Sequence, residues 1–248
     1  MGAAAPIAVP VSGPVAIVSA MHEELHALLP LVESIERIEI AGRCFHCGQL
    51  RGRPVVLALS GIGKVAAAAT ASLLLDRFAA SELLFTGVAG GLHPDVAVGD
   101  VVVARSLLQH DMDASPLFPR YEVPLTGRSR FDADAGRAAA LAEAARRCRV
   151  VRGRVHEGLV VSGDRFVSSA AESSALRSAL PDALAVEMEG AAVAQVCSDF
   201  GRPFAVLRSI SDRADDAAHI DFTQFVAEVA SVYTRTIVDD WLTGRIGR

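Results

Sequence analysis

Residues 155–211 read VHEGLVVS (155–162), AAESSALRSAL (170–180), ALAVE (183–187), MEGAAVAQVCSDF (188–200) and PFAVLRSIS (203–211). The first, third and fifth segments are short and largely apolar, as core strands are. The second and fourth carry Ala, Leu and Val at helical spacing, and the second stops at Pro181. Short runs that are apolar throughout suit strands covered by helices on both faces. The strand–helix alternation therefore predicts an α/β fold, with a mostly parallel or mixed sheet between helical layers.

The pattern extends toward the N-terminus. Val15 to Ala20 reads as a strand, and a helix follows from about His22, with Leu25, Leu28, Leu29 and Val32 on one face. Arg43 to Leu50 and Val55 to Ser60, around Arg51-Gly52, read as a hairpin. Lys64 to Phe78 is helical, and Leu83 to Thr86 and Gly99 to Ser106 are strands. Asp132 to Cys148 is helical, and Asp221 to Trp241 is a long terminal helix with Asp221 as its N-cap. Residues 1–13, broken by Pro6, Pro10 and Gly13, are expected to be a disordered leader, and 14–248 a single domain. The stretch from Gln109 to Arg130 lacks periodicity and holds Pro116, Pro119 and Pro124. Loops of that length are usually functional or interfacial.

Composition excludes several classes of function. The 248 residues include 24 basic and 29 acidic side chains, a formal charge of -5. No basic stripe marks a nucleic-acid binder, and Arg146, Arg147, Arg149, Arg152 and Arg154 read as a solvated surface. Cys44, Cys47, Cys148 and Cys197 are too few for a disulfide scaffold, and Cys44-x-x-Cys47 has no second pair at zinc spacing. No basic n-region precedes the first apolar run, and no stretch reaches membrane-spanning length free of charge or breakers. A soluble, cytoplasmic protein with reduced thiols is expected.

In open α/β sheets, ligands bind beyond the carboxyl ends of the strands. There stand Met21-His22-Glu23-Glu24, Gly87-Val88-Ala89-Gly90-Gly91, Gly163-Asp164-Arg165-Phe166, Glu187-Met188-Glu189, and Arg208 with Ser211-Asp212. Each has a plain structural reading. Glu23 and Glu24 suit a helix N-terminus through its dipole, the glycines suit a tight turn, and Asp212 could cap a helix or pair with Arg213. Gly61-Ile62-Gly63-Lys64 is not a phosphate-binding loop, because Val65 replaces the Ser/Thr and the leading glycine is missing. Glu187 and Glu189 border the apolar run Ala191 to Val196, where charge is expensive to bury without partners. Together these residues describe a polar pocket lined by several acids.

Seven segments stand in the order of a known family: Ala20 to Glu24, Ser60 to Val65, Thr86 to Gly91, Val98-Gly99-Asp100, Val161 to Asp164, Val186 to Glu189, and Arg208 to Asp212. From about Val15 to the C-terminus the chain resembles the methylthioadenosine/S-adenosylhomocysteine nucleosidases of the purine nucleoside phosphorylase/uridine phosphorylase superfamily. That resemblance implies a nucleoside phosphorylase-like, three-layer α/β/α fold with a central twisted mixed sheet, usually a homodimer. It also implies hydrolysis of an N-ribosidic bond to adenine, without cofactor or metal and with a small-molecule nucleoside as partner. Carried over by position, Glu24 is the base for water and Asp212, beside Ser211, the acid at adenine N7. Glu189 bonds the ribose hydroxyls, Met188 packs under the ribose, and Glu187 belongs to the same motif. Phe166 stacks on adenine, and the Val167 backbone reads its edge. Met21 and Phe222 line the alkylthio pocket, Arg208 holds the ribose side and the water, and Val88, Ala89 and Gly90 face the nucleoside through backbone.

The chemistry suits these residue types. Breaking the bond builds cationic character on the sugar and negative charge on the purine, so carboxylates answer the first and an acid the second. Asp212 must then hold a proton near neutral pH, which takes burial or neighbouring acids. Two features depart from the family: Val88 stands where several members have Ser, and the 109–127 segment differs. Three rivals remain open. A nucleoside phosphorylase would carry arginines in a Gly-Asp-Pro-x-Arg turn where this chain has Met21-His22-Glu23-Glu24. A futalosine-type hydrolase and a non-catalytic nucleoside-binding protein would share the fold.

Overall fold

The computed structural model describes residues 12–215, 218, 225 and 229–244. In chain order the elements are β1 (Val15–Ser19), α1 (His22–Leu28), β2 (Glu33–Ile40), β3 (Arg43–Leu50), β4 (Arg53–Leu59), α2 (Lys64–Asp76), β5 (Glu82–Gly91) and β6 (Val101–Gln109). They continue as β7 (Phe131–Asp132), α3 (Ala135–Arg147), β8 (Val155–Ser162), α4 (Ala170–Ala179), β9 (Ala183–Glu187), α5 (Gly190–Asp199), β10 (Phe204–Asp212) and α6 (Ser231–Thr243).

The sheet is mixed, as expected. Five strands close on themselves in the order β5-β10-β6-β8-β9 and back to β5, while β1-β4-β3-β2 extends from β5 and β7 pairs with β6. Pairing is parallel in β1–β4, β1–β5, β5–β10, β6–β8 and β8–β9, and antiparallel in β6–β10 and β5–β9. Two parallel sets of opposite direction are thus joined, and β9 meets β5 only through Gly90↔Val186 and Gly91↔Ala185. That short crossing brings the carboxyl ends of both strands together.

Strand alternation sorts the core into two layers. Val15 and Ile17 of β1 pack with Leu25 and Leu28 of α1, Leu141 of α3 and Ile237 and Trp241 of α6. Ala16 and Val18 pack on the other side with Ala71 and Leu74 of α2 and Val193 and Cys197 of α5. Both faces of the strand are buried, which is why β1 reads as a continuous apolar run. Among the described residues, no helix is long and apolar enough to cross a membrane.

Three details differ from the sequence expectation. The first helix stops at Leu28, and β2 follows where no strand is predicted. Its sequence, ESIERIEI, is mostly exposed and pairs only with β3. Charge on an edge strand discourages pairing with other chains, at the cost of an apolar signature. The glycines after Thr86 are not a turn but the second half of β5, buried throughout. The helix predicted from Met188 begins at Gly190, with Glu189 at its N-cap. The Asp221 cap and residues 1–11 lie outside the described residues; the described terminal helix is Ser231–Thr243.

Asp100 ties the start of β6 to β8. Its carboxylate accepts from the backbone N–H of Ala97 at 3.0 Å and of Arg154 at 2.7 Å, and pairs with His156 Nε2 at 2.8 Å. Burial alone pushes this carboxyl up, but the bonds from Ala97, His156 and Arg154 outweigh it and hold the carboxyl below its ordinary range. A lowered folded-state pKa stabilises the protein above the unfolded value and is lost as pH falls. Asp100→Asn is expected to lose about 1–3 kcal/mol in urea unfolding at pH 7. The gap to wild type should narrow below about pH 4.

Candidate active site

A cavity of about 490 Å³ opens where the ends of β1, β5, β9 and β10 converge. Met21 lines it after β1, Val88, Ala89 and Gly90 on β5, and Phe166 and Val167 in the loop after β8. Glu187, Met188 and Glu189 close it at the end of β9, and Ser211 and Asp212 at the end of β10. Eleven of the fourteen residues expected at the site therefore share one cavity wall. Glu24 and Arg208 do not line it, and Phe222 lies outside the described residues. Cavities of this size with a few converging polar groups are typical small-molecule sites.

Glu24 is wholly buried on α1. Its Oε1 accepts from the Thr234 hydroxyl at 2.7 Å and its Oε2 from the Met21 N–H at 3.3 Å. Met21 itself lines the cavity, so one residue separates this carboxyl from the cavity. Burial pushes the Glu24 carboxyl up to about 7, against the Thr234 hydroxyl, the Arg208 charge and the Met21 amide, which pull it down. A carboxylate that titrates near neutral pH is suited to take a proton.

Glu187 and Arg208 form a buried pair at 2.7 Å, 3% and 0% exposed at the side chain. The Glu187 carboxylate also accepts from the Ser162 hydroxyl and from the backbone N–H groups of Glu189 and Gly190. It lines the cavity, but its oxygens are engaged by protein, and one of them holds Arg208. Arg208 donates to the Leu207 carbonyl at 3.0 Å, and its guanidinium lies 4.0 Å from the centroid of the Phe85 ring. Gly87 makes this possible, because a Cβ there would stand 3.0 Å from Arg208 Nη1.

Glu189 caps a different helix from its own: Oε1 accepts from the Gly63 N–H at 2.8 Å. Burial, with the neighbouring Glu187 charge, raises its carboxyl to about 7. Asp164 accepts from the Lys64 N–H at 2.7 Å. The N-terminus of α2 is therefore closed by two carboxylates, which is the opposite of a phosphate cradle. Lys64 Nζ bonds Asp111 at 2.6 Å and Gln109 at 3.2 Å, anchoring the root of the long 109–130 loop to the site.

Asp212 is 2% exposed. Its Oδ2 accepts from the Ser211 hydroxyl at 2.8 Å and its Oδ1 from the Ala214 N–H at 2.8 Å. A hydroxyl can donate to a carboxylate or accept from a carboxylic acid, so Ser211 serves either protonation state. A Cβ on Gly90 would come within 2.8 Å of Asp212 Oδ1. Gly87 and Gly90 of β5 thus let the Arg208 and Asp212 side chains lie close against the strand.

Sequence reasoning gave Arg165 a place at the strand ends but no role, and missed Ala20 and Ile62 in the cavity wall, the Gly63 contact, and Thr234. Arg165 pairs with Glu172. Gly63 belongs to the Gly61-Ile62-Gly63-Lys64 segment, which fits no phosphate-binding loop. Thr234 carries no local signal, because its partner is 210 positions away.

The family profile "Phosphorylase superfamily" matches residues 14–241. A 5′-methylthioadenosine/S-adenosylhomocysteine nucleosidase of Geobacillus thermodenitrificans is 38% identical over 228 residues, 92% of this chain and 95% of the relative. The Neisseria meningitidis nucleosidase of that name, solved with methylthio-immucillin-A, superposes with a TM-score of 0.88 at 36% identity, covering 94% of this chain and 100% of that one. A futalosine hydrolase mutant of Helicobacter pylori gives 0.86 at 34% identity, over 94% and 100%. By profile, identity and fold, the chain belongs to the phosphorylase superfamily and, within it, to the 5′-methylthioadenosine/S-adenosylhomocysteine nucleosidase family.

Proposed function

We propose that this protein hydrolyses the N-ribosidic bond of 5′-methylthioadenosine and S-adenosylhomocysteine, releasing adenine and the 5-thio-substituted ribose. One observation carries the reading. The Asp212 carboxyl lines a cavity whose wall is acidic and apolar, and the buried Glu24 carboxyl, from the other end of the chain, bonds the backbone of Met21 in that wall. Among the described residues, the cation in that wall is Arg165, which Glu172 neutralises. A phosphorylase needs unpaired cations for phosphate, so water is the better nucleophile here.

Glu24 removes a proton from water as its oxygen bonds to the anomeric carbon. The bond to adenine breaks, its electrons pass to the purine, and Asp212 delivers a proton to N7. Glu189 accepts from the ribose hydroxyls and answers the developing sugar charge. Met188 packs under the ribose, Phe166 stacks on adenine, and Met21 receives the alkylthio end. Arg208, fixed by Glu187, acts on Glu24 by charge rather than by touching substrate. Val88 offers no hydroxyl, so the water is held by backbone and by Glu24. The active unit is read as a cytoplasmic homodimer serving methionine salvage. The exposed apolar Ile62, Val65, Leu117 and Leu125 support a covered surface.

Adenine release from methylthioadenosine, followed by chromatography, should be independent of phosphate; a requirement for phosphate would make the protein a phosphorylase. A parallel assay with futalosine separates the hydrolase reading. Asp212→Asn should cost kcat at least about a hundredfold while leaving Tm unchanged. With Glu24 and Glu189 both raised to about 7, kcat/KM should fall as pH drops through about 7. A flat profile from pH 5 to 8 would remove Glu24 as the base.

A further inference from the structure

The terminal helix α6 contributes a side chain to the acid pocket that no motif marks. Thr234 is wholly buried and donates its hydroxyl to Glu24 Oε1 at 2.7 Å. Two other threonines of the same helix behave differently. Thr236 and Thr243 spend their hydroxyls on the carbonyls four residues back, Val232 at 2.9 Å and Asp239 at 2.8 Å. That internal bond is the local default for a helical threonine. Thr234 instead turns its proton across the α1–α6 contact. The helix is held in place for this by Ile237, Val238 and Trp241, which pack into the layer shared with Leu25 and Leu28 of α1.

We propose that Thr234 is a positioning residue for the general base: its hydroxyl fixes the rotation of the Glu24 carboxylate and favours its ionised form. The proposal rests on the reading of Glu24 as the base. With Oε1 engaged by Thr234, Oε2 is the oxygen left to receive the proton from water, since its own bond to the Met21 N–H is longer, at 3.3 Å. A hydrogen bond donated to a carboxylate stabilises its charged form, and more so where water is excluded. The other influences on Glu24 are the Arg208 charge from β10, which assists ionisation, and Glu23 on its own helix, which opposes it. Charges on the packed elements are engaged elsewhere. Asp239 pairs with Arg51, Asp240 with Arg147, and Arg53 of β4 with Glu82, while Arg235, His22 and His26 are exposed.

The test is the pH profile of kcat/KM for methylthioadenosine in the full chain, with Thr234→Val, Thr234→Ala and Thr234→Ser beside wild type. Removing the hydroxyl in the Val and Ala variants is expected to move the acid limb up by about one pH unit. On the falling limb that is about a tenfold loss, and the rate should recover on the alkaline plateau. Thr234→Ser should restore the wild-type limb. Glu189, bonded to Gly63 and not to Thr234, keeps its own share of the limb. A loss equal at every pH, or a limb that does not move in whichever of Val and Ala folds, would overturn the proposal. Glu24→Gln is run in parallel. If it turns over normally, the reading of Glu24 as base fails and takes the Thr234 role with it; if it is inactive and the limb still does not move, only the Thr234 role fails.

Discussion

The Glu187 carboxylate receives hydrogen bonds from the Ser162 hydroxyl on β8, two N–H groups at the start of α5, and the Arg208 guanidinium on β10. A buried charge without such partners costs far more than a fold of this size can absorb. Its full satisfaction therefore dictates where β8, β9, α5 and β10 meet. That meeting point is the floor of the cavity. Because Arg208 is held there, its charge reaches Glu24. Because β9 is held there, Glu189 is carried to the N-terminus of α2. Glu187 lines the cavity as well, but with its oxygens taken by protein it positions the acids around it.

The same economy governs β5. Its carboxyl half is a strand made of small residues, so that Arg208 and Asp212 of the neighbouring β10 can lie against it. A side chain on Gly87 or Gly90 would displace the groups that give the pocket its charge. The closed ring of five strands then brings opposed strand directions to a common rim, something a purely parallel sheet does not need and does not do.

Protonation is the second theme. Burial raises both Glu24 and Glu189 to about 7. Each carboxyl is met by donors that pull the other way: Thr234 and Met21 for the first, Gly63 for the second. Proton affinity near neutrality is thus a balance of desolvation and hydrogen bonding, set by elements far apart in the chain.

From the sequence alone, periodicity determined the α/β layering, since strands buried on both faces must be apolar throughout. The ordered motifs determined the family and which acids to examine. β2 escaped because an edge strand facing water carries charge instead of an apolar pattern. The role of Gly87 and Gly90 escaped because the neighbour that demands a glycine lies on another strand, about 120 residues on. Only the tertiary structure separated Glu187, whose oxygens are all taken by protein, from Glu189 two residues later. It alone joined Thr234 to Glu24. Hydrogen bonds between distant segments leave no local trace, because spacing along a chain encodes which face a residue occupies and not what stands opposite it.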